Sequence, residues 1–220
     1  MALKALISGL EVCDRSKYKY SDDQIQQHVN NFVIFITGFS TTIHAWARSG
    51  HPEGAARAEK LLRAMHDLED SGGHVSPNTI TYSACILALR NSNSSDAGER
   101  AEALLQKMEE SEEKGRTNLK PNAITYTNVM EAWINSRQHN SLDKVEAILE
   151  RMIQRSKIEG NSKSAPTTVT FNVVMKAIQH SSHPAKHKKA EELFNRIKKM
   201  QDSDNIKPDI RTYNLVSEWC

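Results

Sequence analysis

Apolar residues recur along the chain in short helical stripes, each of which begins at an aromatic side chain. The clearest stripes start at Tyr82, Tyr126 and Phe171, and a weaker one starts at Phe39. From the aromatic, the apolar positions continue three, four and seven residues later, which is one face of a helix with 3.6 residues per turn. The stripes are Tyr82, Cys85, Ile86, Leu89; Tyr126, Val129, Met130, Trp133; Phe171, Val174, Met175, Ile178; and Phe39, Thr42, Ile43, Trp46. Each predicts an amphipathic helix.

The stripes repeat at nearly constant spacing. The aromatic residues follow one another at steps of 43, 44, 45 and 42: Phe39, Tyr82, Tyr126, Phe171 and Tyr213. A second helical run is marked 19 residues after each of the first four, at Ala58, Ala101, Val145 and Ala190. The number of residues from these positions to the next repeat varies, so insertions collect in the connector between one repeat and the next. A period of 20–50 residues is typical of solenoids. The sequence therefore predicts an all-α superhelical solenoid of antiparallel helix pairs.

Four of the aromatic helices are preceded by the same start signal. A proline lies five residues before the aromatic, and a short polar residue follows it: Asn78, Asn122, Thr167 and Asp209. Proline cannot continue a preceding helix, and Asn, Thr and Asp are residues that cap helix N-termini with a side-chain oxygen. We therefore expect the first helix of each pair to begin directly after these residues.

The period divides most of the chain into one array. Residues 1–35 do not follow it, and we interpret them as a divergent N-terminal cap or partial repeat. The repeats run over 36–77, 78–121, 122–166 and 167–208, with a partial repeat at 209–220. The partial repeat holds a first helix without its second helix, whereas solenoids normally end in a polar cap. We therefore expect the sequence to be a fragment of a longer array. The sequence holds no apolar run long enough for a membrane span.

These residues together resemble the pentatricopeptide repeat (PPR) family. The resemblance rests on Pro121-Asn122-Ala123-Ile124-Thr125-Tyr126-Thr127 and its copies, and on Ala101-Glu102-Ala103-Leu104-Leu105 and its copies. It covers residues 36–220 and implies a right-handed superhelix like that of PPR and tetratricopeptide repeat proteins. The family's usual repeat is shorter than the 42–45 residues found here. We expect the additional residues in the turn between paired helices and in the connector.

The resemblance implies binding of single-stranded RNA, with one base for each repeat. It assigns base reading to the residue after each aromatic and to the residue after the following proline. The first set is Ser40, Ser83, Thr127, Asn172 and Asn214, and the second is Asn78, Asn122, Thr167 and Asp209. All are short donors or acceptors that suit a base edge. The second set has an alternative explanation, because the same residue types cap helices.

We call both sets of residues readers. The resemblance also pairs the reader after each aromatic with the reader after the proline that follows it. The implied bases are adenine for Ser40 with Asn78, adenine for Ser83 with Asn122, and uracil for Asn172 with Asp209, while Thr127 with Thr167 matches no defined pair. The hypothesis is a footprint 5′-A-A-N-U-3′. It predicts weaker binding to a C-rich RNA.

Charge alone does not point to nucleic acid. With 29 basic and 27 acidic residues, the net charge is +2, far from a polycation. One local positive field, around Lys186, Lys188 and Lys189, either contacts phosphates or balances the acidic second helix of repeat two. The chain contains no glycine-rich phosphate loop, nucleophile elbow or metal-ligand spacing. We therefore expect no catalysis, no metal and no cofactor.

The function implied by the resemblance is RNA binding in organellar RNA processing, stability or translation. Other RNA-processing proteins are the expected partners, and the mitochondrion or plastid is the expected location, although residues 1–30 do not resemble a transit peptide. A protein–protein scaffold of the tetratricopeptide type is the alternative, favoured by the near-neutral charge. An enzyme subunit separated from its catalytic part is a third interpretation.

Overall fold

The structure is a computed structural model, and it describes residues 38–72, 75–159, 163–204 and 206–217. The segment 1–35, which the sequence assigns to a cap or partial repeat, lies outside the described residues.

The described residues form helices that alternate along the chain between two roles. We call α1, α3, α5, α7 and α9 the first helices, and α2, α4, α6 and α8 the second helices. Their bounds are α1 38–48, α2 Gly54–Asp70, α3 Thr79–Ser92, α4 Ala97–Glu113, α5 Ala123–Ser136, α6 Ser141–Glu159, α7 Thr168–His180, α8 Lys186–Asp204 and α9 Ile210–Ser217. A short 3-10 turn, Thr117–Leu119, lies in the connector after α4. No strand occurs in these ranges.

The first helices begin where the post-proline residues predict. Asn78, Asn122 and Thr167 have extended backbones, and each is the N-cap of its helix. In each case the cap side chain accepts a hydrogen bond from the backbone N–H of the threonine three residues later, and that threonine's hydroxyl accepts from the cap's own N–H. The donor–acceptor distances to the caps are 3.0 Å at Thr81, 3.0 Å at Thr125 and 3.4 Å at Thr170. This reciprocal capping box satisfies two otherwise unpaired donors.

The predicted apolar stripes form the core. The aromatics Tyr82, Tyr126 and Phe171 are almost completely buried, as are the stripe residues that follow them. The buried phenols find polar partners: the Tyr126 hydroxyl donates to Oε1 of Glu109 at 2.7 Å, and the Tyr82 hydroxyl lies 2.9 Å from Nε2 of His66. Burial raises the pKa of Tyr82 to about 12, so this phenol stays neutral.

The helices stack as a solenoid. Each first helix from α3 onwards packs against the next first helix, and each second helix packs against the first helices before and after it. The predicted all-α solenoid of helix pairs is therefore confirmed, while the hand of the superhelix stays a prediction. The second helices, at 17–19 residues, are longer than the complete first helices α3, α5 and α7, at 13–14.

A ladder of ion pairs joins successive second helices. The positions 19 residues after the aromatics serve as markers: Ala58, Ala101, Val145 and Ala190. Each acid directly follows the marker of its own repeat, and each cation directly precedes the marker of the next repeat. The three rungs are Glu59–Arg100 at 2.5 Å, Glu102–Lys144 at 3.4 Å and Glu146–Lys189 at 2.7 Å. Further rungs lie towards the C-terminal ends of these helices, at Glu112–Arg155 and Glu150–Arg196. The ladder holds the second helices in register along the array.

Hydrogen bonds across the α1–α3 and α3–α5 junctions hold these first helices in register as well. At their C-terminal ends, the Asn91 side chain donates to the carbonyl of Ala47 at 2.8 Å, and Asn135 donates to the carbonyl of Arg90 at 2.9 Å. At their N-terminal ends, the Thr79 hydroxyl lies 3.0 Å from the carbonyl of Lys120. The N-terminal turns of neighbouring first helices are therefore held at a fixed spacing.

Candidate nucleic-acid interface

The predicted base-reading residues meet at the junctions between first helices. At the junction of α3 and α5, Ser83 lies in the second turn of α3 and Asn122 caps α5. Both contact one side chain: Oγ1 of Thr125 lies 2.9 Å from Oγ of Ser83 and 3.1 Å from Oδ1 of Asn122. Thr125 is fully buried, whereas both readers are partly exposed. The structure therefore brings this predicted pair together through a shared hydroxyl.

At the junction of α7 and α9 the two readers touch directly. Nδ2 of Asn172 donates to Oδ1 of Asp209 at 3.0 Å. Thr212, buried beneath them, donates from Oγ1 to Oδ1 of Asn172 at 2.7 Å. The pKa of Asp209 is lowered, chiefly because its carboxylate accepts the backbone N–H of Thr212 and also because Asn172 donates to it. This reader is consequently a carboxylate, which only accepts hydrogen bonds.

The junction of α5 and α7 is built differently. Thr127 is 9% exposed, and its hydroxyl donates to the carbonyl of Ala123 at 2.6 Å. It lies 3.4 Å from Oγ1 of Thr170, which in turn is 3.2 Å from Oγ1 of Thr167. The proton of Thr127 is used at Ala123, so Thr127 can only accept from Thr170. No carboxamide or carboxylate reader orients this junction.

The remaining readers lie at the two ends of the described array. Ser40 is partly exposed on α1, and Asn78 caps α3 through Thr81 with the same geometry as Asn122. Asn214 is exposed on α9. The structure thus brings a pair of short polar side chains together at three junctions, α3–α5, α5–α7 and α7–α9.

Two junctions present hydrogen-bonding groups of opposite polarity. At the α3–α5 junction the helix cap uses Oδ1 of Asn122, and the remaining polar atom of this side chain, Nδ2, is a donor. At the α7–α9 junction the helix cap uses Oδ1 of Asp209, and the remaining polar atom, Oδ2, is an acceptor. The first readers also differ, because Asn172 offers an N–H whereas Ser83 offers a hydroxyl. The two junctions therefore offer opposite arrangements of donor and acceptor.

An exposed aliphatic row lies beside the readers and was missed in the sequence. Ile80, Ile124 and Val169 are 59%, 66% and 61% exposed, although large aliphatic side chains usually lie inside. Each lies three residues before a reader, so the two side chains are neighbours on the helix surface. The signal was available: an apolar residue recurs two positions before the aromatic in three repeats, outside the buried stripe.

The three lysines proposed for phosphate contact have different surroundings in the structure. Lys189 is a rung of the ion-pair ladder, with Nζ 2.7 Å from Oε2 of Glu146. Lys188 is 78% exposed, and its Nζ lies 3.9 Å from Oε1 of Glu192. Lys186 lies one turn from Lys189 at the start of α8. The charge of Lys189 is thus already balanced within the array.

Neither a metal site nor a membrane span is found in the part of the chain that the structure describes. Its His, Cys, Asp and Glu side chains include no group of three or more that could hold a metal ion. None of its helices is long and apolar enough to cross a membrane.

Comparison with protein families gives one match. A family model described as pentatricopeptide repeat domain matches residues 103–181. The match runs from within α4, through α5 and α6, to the residue after α7, and so includes the Thr127 reader and its junction. No curated protein matches the chain.

Proposed function

We propose that this chain, which carries a pentatricopeptide repeat domain over residues 103–181, binds single-stranded RNA along the N-terminal edge of its first helices. The observation that carries the proposal is the pairing of short polar side chains across the junctions. The contact between Asn172 and Asp209 at 3.0 Å is the most direct case. The Ser83–Asn122 and Asn172–Asp209 pairs are partly exposed, and each offers a donor or an acceptor to a base edge.

The polarity of the pairs supports selection among bases. Adenine and cytosine carry an exocyclic amino donor next to a ring acceptor, whereas guanine and uracil carry a keto acceptor next to a ring donor. Because the α3–α5 and α7–α9 junctions have opposite polarity, they select opposite classes. Taken with the family resemblance, Ser83 with Asn122 selects adenine and Asn172 with Asp209 selects uracil. Thr127 with Thr167 matches no defined pair, so the third base of A-A-N-U stays open.

The aliphatic row supports a flat partner. Ile80, Ile124 and Val169 stand beside the readers with most of their surface in water. A base whose edge contacts a reader pair would lay its face against such a side chain and remove apolar surface from water. Contact with base faces would favour single strands over a duplex, because the stacked and paired bases of a duplex do not expose their faces.

Phosphate contacts in this proposal are few. Lys188 is the exposed lysine of the three proposed from the sequence, and Lys186 lies on the same turn of α8. Since five cations of the second helices belong to the ladder, namely Arg100, Lys144, Arg155, Lys189 and Arg196, we expect a shallow dependence of affinity on salt. The binding module acts without catalysis of its own, in organellar RNA processing, stability or translation and alongside other RNA-processing proteins.

Equilibrium binding to short fluorescent RNAs tests the proposal. The set comprises a U-flanked RNA containing AAAU and AAGU variants, a C-rich RNA, a duplex and the matching DNA, each at low and moderate salt. We expect preference for the single-stranded A-A-N-U RNA over the C-rich RNA. With four junctions and about 1–3 kcal/mol for each base contact, the affinity should be modest.

Equal affinity for the A-A-N-U and C-rich RNAs would refute base reading. Absence of RNA binding at every salt concentration would refute the function. A protein–protein scaffold would then be the better interpretation.

A further inference from the structure

A buried threonine lies at the third position of each first helix from α3 onwards. Thr81, Thr125, Thr170 and Thr212 are all at most 1% exposed. A threonine that served only the capping box would contact its own N-cap residue. Three of these also contact the reader of the preceding repeat: Thr125 with Ser83, Thr170 with Thr127, and Thr212 with Asn172.

The hydrogen bonds of Thr125 determine how its neighbours are oriented. Its Oγ1 accepts the backbone N–H of Asn122 at 3.3 Å and donates to Oδ1 of the same residue at 3.1 Å. When that single proton lies on Asn122, Oγ1 accepts from Ser83 at 2.9 Å, and the lone pairs of Ser83 are left for a base. The pair then presents an acceptor at Ser83 and a donor, Nδ2, at Asn122.

Thr212 fixes the opposite arrangement. Its hydroxyl lies 2.7 Å from Oδ1 of Asn172 and 3.0 Å from Oδ1 of its own cap Asp209, and the shorter contact places its one proton on the amide oxygen, which only accepts. The amide is also held from its other side, where Nδ2 donates to the carboxylate of Asp209. A flipped amide would place two acceptors 3.0 Å apart. The pair therefore presents a donor at Asn172 and an acceptor at Asp209.

We propose that Thr125 and Thr212 are positioning residues, which fix the donor or acceptor polarity of the reader pair above them and so set the class of base each junction selects. The proposal rests on the proposed function. Neither threonine touches the RNA, since both are buried. At the α5–α7 junction Thr170 contacts two hydroxyl readers, Thr127 and Thr167.

The test compares Thr125→Val, Thr125→Ser and Thr79→Val in the full chain. Valine keeps the shape but removes the hydroxyl, and serine keeps the hydroxyl. Thr79→Val is the matched control. The Thr79 hydroxyl donates to the carbonyls of Asn118 and Lys120, in the connector between α4 and α5, and does not contact a reader. Two RNAs are compared, which carry either uracil or adenine as the second base of A-A-N-U. The measured quantity is the Kd of the uracil RNA divided by the Kd of the adenine RNA.

We expect a ratio of about 10 for the wild type, Thr125→Ser and Thr79→Val, and a fall to about 2 or less for Thr125→Val. A merely structural threonine would lower the affinity for both RNAs equally and leave the ratio unchanged. A preserved ratio in Thr125→Val would overturn the positioning role while RNA binding stands. If the wild type binds no RNA, the proposed function itself fails.

Thr212→Val extends the test to a junction where any loss of structure is confined to the last described helix. The ratio measured is that of cytosine over uracil at the fourth base, with Thr168→Val as control because its hydroxyl bonds the Lys207 carbonyl at 2.9 Å. We expect the ratio to fall from about 10 to about 2 in Thr212→Val alone. A ratio that stays near 10 would contradict the proposal at this junction.

Discussion

Asn172 donates a hydrogen bond from Nδ2 to Oδ1 of Asp209, which belongs to the next repeat, at 3.0 Å. The proposed unit of base reading is therefore a junction between two first helices rather than a single repeat. Four such junctions lie in the described residues, between α1 and α9. The capping of each first helix and the reading of a base use the same residue, so the two explanations of the post-proline residues are compatible.

Ile124→Ser should weaken RNA binding without reducing stability. Ile124 is 66% exposed, so its replacement removes little buried surface from the fold. Contact with the face of a base would be lost, and we expect Kd to rise by about 3- to 10-fold for every RNA of the set. Fluorescence anisotropy measures the affinity, and thermal unfolding checks that Tm is unchanged.

The control for this substitution is Lys188→Ser, which changes an exposed side chain on a second helix. It should alter affinity through salt-dependent contact alone, so its effect should fade at higher salt. An Ile124→Ser protein that binds like the wild type would show that the aliphatic row does not contact RNA.

Gly98→Ala should destabilise the array although alanine favours helices. A Cβ at Gly98 would lie 2.5 Å from Cδ2 and 2.7 Å from Cε3 of the buried Trp133. Overpacking costs about 1–3 kcal/mol, against a gain in helix propensity of about 1 kcal/mol. We expect a net loss in the free energy of unfolding, measured by urea denaturation. The loss should shrink in a Trp133→Phe background, and a Gly98→Ala protein more stable than the wild type would contradict this packing.

Stability should fall as the pH drops below about 6.5 because of His66. Its pKa is lowered, chiefly by burial, from an ordinary value of 6.5. Below 6.5 the unfolded chain takes up a proton before the folded chain does, so protonation favours unfolding until the pH passes the folded pKa. Tm measured between pH 7.5 and 5.5 should decline less in His66→Gln than in the wild type. His139→Gln, at an exposed histidine, is the control and should behave as the wild type.

The helices and the core could be predicted from the sequence because they depend on local spacing. The stripe from Tyr126 to Trp133 and the cap at Asn122 are both local signals, and the structure confirms both. That the additional length of the repeats lies in turns and connectors stays a prediction.

The contacts across junctions could not be predicted in the same way. Arg100 and Glu102 lie two apart on one helix and do not face each other, and their partners Glu59 and Lys144 belong to the neighbouring repeats. These ion pairs can be identified only when it is known how far one second helix is shifted along its neighbour. For this reason Lys189 was proposed as a phosphate ligand, although it pairs with Glu146. The polarity of the reader pairs likewise depends on the buried threonines.

The most direct test of base reading is the binding of Asp209→Asn to A-A-N-U and A-A-N-C RNAs. Asparagine caps a helix as well as aspartate does, so Tm should not change. The substitution replaces the outward acceptor Oδ2 with an N–H donor, which suits the ring acceptor of cytosine and not the ring N–H of uracil. We predict that the ratio of Kd values for cytosine over uracil falls about 10-fold or more. An unchanged preference for uracil, in a variant that binds RNA and keeps its Tm, would contradict the account.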